Sequence, residues 1–408
     1  MLSFTDARQK VIEVVKGLAH NPARESVALD AAQGRVLAEQ ILADRDSPPF
    51  NRATRDGYAA RAIDLRSPAA KLTLVGEIRA GQEYTGMIGT GQCVQIMTGA
   101  PVPQGADAIV MIEFTRTDNS GGKTQIFFER AAVPGQNIVP VGSEARKGAT
   151  LLEAGMRMSC AELSLAAHTG HPKLEVWARP RIGILSTGDE IVSPEETPGA
   201  LQIRNGNSVS LAAQVASAGG EPVMLGNARD ESMNLRSHIE QGLRCDALVI
   251  SGGVSAGKYD LVEGVLGELG AKIFFDGIAI RPGRPAVFSQ CGGKPVFGLP
   301  GNPVSTMVTF DLFVQPAVDI LGGAEPKPLA FLRAKLDAPL NEKPDLAHFL
   351  PARIDWTHGE AVVRPLPWHG SGDVVALTHS NCFIVVREDK LRWQAGEWID
   401  VLPRGGKL

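Results

Sequence analysis

Apolar residues repeat at helical spacing near the start of the chain. Val11, Ile12, Val14, Val15 and Leu18 share one face, and Val36, Leu37, Ile41 and Leu42 share another, so residues 1–44 read as helical. Ser47-Pro48-Pro49 cannot continue a helix. From there to about 137 the pattern changes to short apolar runs. Leu72 to Val75, Cys93 to Met97, Ala108 to Ile112 and Thr124 to Phe128 read as strands separated by turn residues, the signature of a small β domain. A helical stretch returns at Ser159 to Thr169 and is expected to pack with the N-terminal helices, which would make the β unit an insertion.

From about 176 to 323 strands and helices alternate. Arg181 to Leu185, Pro222 to Gly226, Ala247 to Ile250 and Pro295 to Leu299 read as strands. Val209 to Ala218, Glu231 to Leu243, Leu261 to Leu269 and Pro303 to Leu321 read as the helices between and after them. Such alternation predicts a parallel sheet covered on both faces, with ligands bound beyond the carboxyl ends of its strands. Residues 324–329 read as a linker. The tail reads as all-β, with Val362-Val363, Val374-Val375 and Phe383 to Val386 among its strands.

Composition narrows the class. The chain has 408 residues, 44% hydrophobic and 21% charged, which excludes global disorder and predicts several domains. A net charge of −4 and 5% aromatics argue against a nucleic-acid binder. Five cysteines stand far apart with no CxxC pair, so a disulfide framework or zinc ribbon is not expected and a reducing cytoplasm fits. No apolar run is expected to reach the roughly 18 residues a membrane span needs. Met1 to Lys10 lacks the apolar core of a signal peptide.

The loops after the strands carry the candidate chemistry. Ser251-Gly252-Gly253-Val254-Ser255-Ala256-Gly257-Lys258 contains GxxxxGK, but Tyr259 stands where a P-loop needs Ser or Thr for magnesium. Its glycines still let backbone N–H groups approach an anion; a plain strand-to-helix turn is the alternative. Asp189-Glu190, Asp230 and Asp260 all follow strands of one sheet, where they can converge on a hard cation or serve as solvated turn residues and helix caps. Arg281-Pro282-Gly283-Arg284-Pro285 is a rigid, doubly cationic turn suited to an oxyanion. Pro300-Gly301-Asn302-Pro303-Val304-Ser305 reads locally as a helix start, with Asn302 the N-cap and Pro303 at the first helical position.

Taken in order, these segments resemble the MoeA family of molybdopterin molybdenumtransferases, which includes the E domain of gephyrin. The matching stretches are Asp56-Gly57-Tyr58-Ala59, Thr98-Gly99-Ala100-Pro101-Val102-Pro103, Ser186-Thr187-Gly188-Asp189-Glu190, Ser251-Gly252-Gly253-Val254-Ser255 with Asp260, the arginine turn, Gly298 to Ser305, and Asn381-Cys382-Phe383-Ile384-Val385. They cover nearly the whole chain.

The resemblance implies a multidomain α/β plus β protein. A helical, discontinuous first domain would comprise 1–44 and 138–175, with a β domain inserted at 45–137. An α/β domain resembling molybdopterin-binding proteins would span 176–325, and a C-terminal β barrel 326–408. It implies insertion of molybdate into adenylated molybdopterin with release of AMP, aided by Mg2+ or a similar divalent cation. Glu190, Asp230 and Asp260 would hold that cation, and Ser251, Gly252, Gly253, Ser255, Pro300, Gly301, Asn302 and Ser305 would hold the substrate. Asp56 and Thr98 would complete the site from the partner of a homodimer. A diverged pterin- or nucleotide-binding relative, or a scaffold without insertion activity, is the alternative.

Departures mark this chain. Arginines replace the family's lysines at 281 and 284, which keeps the charge and changes the donor geometry. Lys258 and Glu144 depart from the usual residues, and Pro351 stands where an oxyanion-binding arginine is common. Arg353 and Ser371 are the candidates to compensate in the C-terminal domain.

Overall fold

The structure is a computed structural model and describes residues 1–18, 22–253, 261–342, 346–357, 359–387, 390 and 392–404. Ser255 and Asp260 of the expected site lie outside the described residues, as does Lys258.

The centre of the molecule is a six-stranded sheet. Its order is Glu221–Ala228, Arg181–Thr187, Ala247–Ser251, Lys294–Leu299, Val287–Cys291 and Lys272–Phe275. The first four strands are parallel, as the alternation predicts. All five residues of Ala247–Ser251 are buried, which is why that run carries no polar alternation. The last two strands are antiparallel, so the sheet is mixed rather than wholly parallel. The cause is local: Gly292 and Gly293 sit at φ of +56° and +78° and close a two-residue hairpin, which returns the chain antiparallel.

Helices Gly206–Ala218 and Ser232–Gly242 flank this sheet. Pro303–Leu321 runs as one rod with a π-turn at Phe310–Val314. By length and composition it is apolar enough to cross a membrane, but 78% of it is buried inside the protein, where it supplies Val308, Phe310, Leu312 and Phe313 to the core.

The N-terminal region departs from expectation. Phe4–Gly17 is helical, but its stripe of Phe4, Ala7, Val11 and Val15 packs into the α/β core and not against Cys160–His168. Phe4 meets Phe349 edge-on at 5.4 Å between ring centroids. The second helix expected over Val36 to Leu42 does not form. Val36 and Leu37 bridge to Arg157 and Val176, and Ile41–Leu42 pairs with Thr150–Leu152. Leu37 and Ile41 join Met158, Leu174 and Val176 in a small separate core, and helix Cys160–His168 adds Ala166 to it. A short apolar run serves either element, and the partner strands decided.

Within 57–128 six strands form a second sheet, in the order Ala108–Met111, Gly57–Ala60, Gln92–Ile96, Ala70–Ile78, Gln125–Phe128 and Thr115–Asp118. In the tail, Ala347–Thr357, Glu360–Pro365, Leu332–Leu336, Trp398–Pro403 and Cys382–Val386 close into a five-stranded barrel. Val374-Val375, expected as strand, opens helix Val374–His379. The Asp373 side chain accepts from Ala376 N at 3.0 Å and caps it, a signal that outweighs the β propensity of two valines.

Candidate active site

Three loops leave the carboxyl ends of the parallel strands together. Gly188, Glu190 and Ile191, Gly252-Gly253 and Pro300 to Pro303 line a cleft of about 780 Å³, with Asp230 on the neighbouring loop and Gly372 and Val374 reaching across from the C-terminal domain. Glu190, Asp230, Ser251, Gly252, Gly253, Pro300, Gly301 and Asn302 are thus brought to one place. Gly252 has φ +96°, and a Cβ there would lie 2.7 Å from the Thr187 carbonyl oxygen. No side chain fits, so the backbone at 252 can come close to whatever occupies the cleft.

Asparagines fix the loops relative to one another. Asn207 Nδ2 donates to Ser251 Oγ at 2.9 Å and to the Gly301 carbonyl at 2.8 Å. Asn205 Oδ1 accepts from Ser208 N at 3.1 Å, capping helix Gly206–Ala218, while its Nδ2 donates to Ser186 Oγ at 3.0 Å. The positive end of that helix therefore opens on the cleft. Thr187 Oγ1 is buried here without a hydrogen-bond partner among the described residues, a costly state that a ligand would relieve. The sequence reading noted Thr187 only as part of the Ser186 to Glu190 stretch, and Asn205 and Asn207 escaped it. The only signal was Asn205-Gly206-Asn207 at a helix start, which reads as capping alone.

The acidic side of the cleft is crowded. Asp230 N donates to Asp189 Oδ1 at 3.3 Å. Partial burial, then the charges of Asp189 and Glu190, push the Asp230 carboxyl above the usual carboxylate range. None of the three forms an ion pair among the described residues. This unbalanced charge with oxygen donors suits a hard divalent cation. Among the described residues no group of three His, Cys, Asp or Glu forms a complete metal site; Asp260, the third carboxylate of the expected set, falls outside them.

The remaining candidates lie apart. Asn302 holds the N-cap position of Pro303–Thr309, yet its side chain makes no cap hydrogen bond, and the residue lines the cleft wall. Ser305 is buried in that helix and does not line the cleft. Arg281 and Arg284 are exposed, and of that turn only Pro285 reaches the cleft. Arg281 lines a second cleft of about 900 Å³ at the mouth of the barrel; Arg284 lines neither. Arg353 lines neither and is paired with Asp355 at 3.2 Å. Ser371 accepts from Val304 N through its carbonyl at 3.0 Å and so docks its loop on the start of the buried helix. Asp56 and Thr98 are joined: Asp56 Oδ1 accepts from Thr98 N at 2.6 Å and Thr98 Oγ1 at 2.7 Å, which holds the carboxyl below its usual range. Both are absent from the walls of the cleft in their own chain.

Comparison with known proteins accords with this architecture. Residues 2–170 match the MoeA N-terminal region (domain I and II), 183–319 a probable molybdopterin binding domain, and 333–403 the MoeA C-terminal region (domain IV). The molybdopterin molybdenumtransferase of Bacillus subtilis is 32% identical over 93% of this chain and 89% of its own. That of Haemophilus influenzae is 31% identical over 99% of this chain and 98% of its own. A crystal structure of the molybdopterin biosynthesis MoeA protein from Pyrococcus horikoshii OT3 superposes with a TM-score of 0.81 at 27% identity, covering 99% of this chain and 100% of that one. The conclusion is that this chain belongs to the MoeA family, the molybdopterin molybdenumtransferases.

Proposed function

We propose that this chain inserts molybdate into adenylated molybdopterin and releases AMP, in the cleft at the carboxyl ends of the parallel strands. The observation that carries the reading is the Gly252 loop, locked against Thr187 beside the Asn205-capped helix in the cleft that Glu190 and Asp230 also line. Backbone N–H groups and a helix N-terminus suit a pyrophosphate. Glu190 and Asp230, joined by Asp260, would hold a divalent cation, which when bound polarises the phosphoanhydride as a Lewis acid. Asn207 keeps the Ser251 and Gly301 loops at a fixed spacing, so the substrate meets a prepared surface. The exposed Asp56–Thr98 pair has no role inside its own chain's cleft, which supports a homodimer in which each chain completes its partner's site. Five free cysteines fit a cytoplasmic enzyme.

Equilibrium binding of adenylated molybdopterin tests the location. Asn207→Ala unhooks two loops at once and is expected to weaken binding about tenfold, the worth of one or two hydrogen bonds. Unchanged affinity would remove this cleft as the pterin site.

A further inference from the structure

The turn that carries Glu190 is held from behind by a residue that does not line the cleft. Asn227 lies in strand Glu221–Ala228, opposite Ser186 in the parallel register. Its Nδ2 donates to the Gly188 carbonyl at 2.9 Å and to the Ile191 carbonyl at 3.3 Å. Ile191 N donates to the Gly188 carbonyl as well, at 3.2 Å, and closes the turn on itself. One side-chain amide therefore bridges both ends of the 188–191 turn, with Asp189 and Glu190 between them. Gly188 has φ +133°, and a Cβ there would lie 2.6 Å from Glu190 Oε2 and 2.9 Å from Oε1. The Glu190 carboxylate thus folds back over the Gly188 Cα, into the space a side chain would take. Gly188 N donates to the Ala228 carbonyl at 3.3 Å, so the strand that supplies Asn227 also anchors the residue beneath that carboxylate.

This clamp is unfavourable for the strand that provides it. Asn227 Oδ1 is buried with no partner among the described residues. Turning the amide over would set that oxygen against two carbonyl oxygens, so its contacts fix its orientation. Asparagine is also a poor strand former, and a buried acceptor without a donor is destabilising. Neither property suits a residue present for the sheet alone. The neutral amide does suit the acids beside it. A carboxylate at 227 would have no hydrogen to donate and would add a charge to those of Asp189, Glu190 and Asp230. A lysine could reach the carbonyls but would bring its own cation to the site of a divalent one.

We propose that Asn227 is a positioning residue for the divalent cation. By clamping the 188–191 turn it holds the Glu190 carboxylate where it can ligate, without itself touching the ion. The inference rests on the proposed function, in which Glu190 and Asp230 hold that ion. A ligand already fixed in place loses less freedom on binding, which is why partners behind the ligands contribute to metal affinity.

The test is titration of the full chain with manganese chloride, following free Mn2+ by its electron paramagnetic resonance signal. Mn2+ stands in for Mg2+ because both are hard ions that take six oxygen ligands. Wild type is expected to bind Mn2+, and Glu190→Gln to lose most of that binding. Asn227→Ala should weaken Mn2+ binding at least about tenfold, the usual loss when a partner that orients a ligand is removed. Asn227→Leu keeps the volume of the side chain and cannot donate; it should weaken binding as much, and it replaces the alanine variant if that does not fold. Melting in chelator separates the two roles. A merely structural residue would lower the melting temperature and leave the Mn2+ affinity of the folded chain unchanged. Wild-type Mn2+ affinity in the folded Asn227 variants, or Mn2+ binding that Glu190→Gln leaves intact, overturns the proposal. If Mn2+ binding follows the expected pattern but the wild-type chain releases no AMP from adenylated molybdopterin, the insertion reading fails and the role of Asn227 stands.

Discussion

Asp230 sits where three carboxylates crowd, and its protonation is favoured by folding. The sign follows from linkage: a carboxyl raised in the native state costs stability once pH rises through its native range, and the cost persists at neutral pH. Asp230→Asn should therefore raise the melting temperature of the chelator-treated protein by about 1–3 °C at pH 7. The gain should vanish near pH 3, where the wild-type group is neutral too. Magnesium should stabilise the wild type more than the variant. A variant that melts lower than wild type at pH 7 without cation would mean that Asp230 is not under repulsion. Gly252→Ala acts in the opposite direction. The positive φ and the Thr187 carbonyl together predict a loss of about 1–3 kcal/mol in a denaturant titration. A midpoint equal to wild type would show that the loop has freedom this geometry denies. The glycines and acids of this cleft were legible in sequence because strand ends announce themselves. Asn205 and Asn207 were not, since a cap and a loop bridge look alike until the loops are seen together.

At the scale of elements, one tie between the buried rod Pro303–Leu321 and the rest of the molecule is a buried acid. Asp319 is 1% exposed; it pairs with Arg157 at 2.9 Å and accepts from Lys327 N at 3.1 Å. Burial pushes its carboxyl up, with these partners pulling it down. Removing it strands a part-buried guanidinium, so Asp319→Ala should cost about 3 kcal/mol by chemical denaturation. A loss under about 1 kcal/mol would mean that the pair is dispensable. This tie joins residues 162 apart and no periodicity reveals it. Periodicity did reveal the four parallel strands and the helices of 181–321, because each is long or bounded by glycine or proline, but it passed over the strands Lys272–Phe275 and Val287–Cys291 of the same sheet. It misread Val36 to Leu42 and Val374-Val375, where two to four apolar residues leave the choice to a distant strand or to a cap.

At the scale of the whole molecule, the Asp56–Thr98 pair and the strand-end cleft belong to different parts of the chain. If each site is built from two chains, Asp56→Asn and Glu190→Gln proteins, each inactive alone, should regain part of the activity when their subunits are exchanged. One site of the mixed dimer then carries neither substitution. Verified exchange with no recovery would place both residues in one chain's site or outside it. The most direct measurement is the release of AMP from adenylated molybdopterin by the purified chain, with molybdate and magnesium supplied or withheld in turn. Release that requires both, and that falls at least about tenfold in Glu190→Gln, is the predicted result. Adenylated molybdopterin left intact with both present would contradict the account.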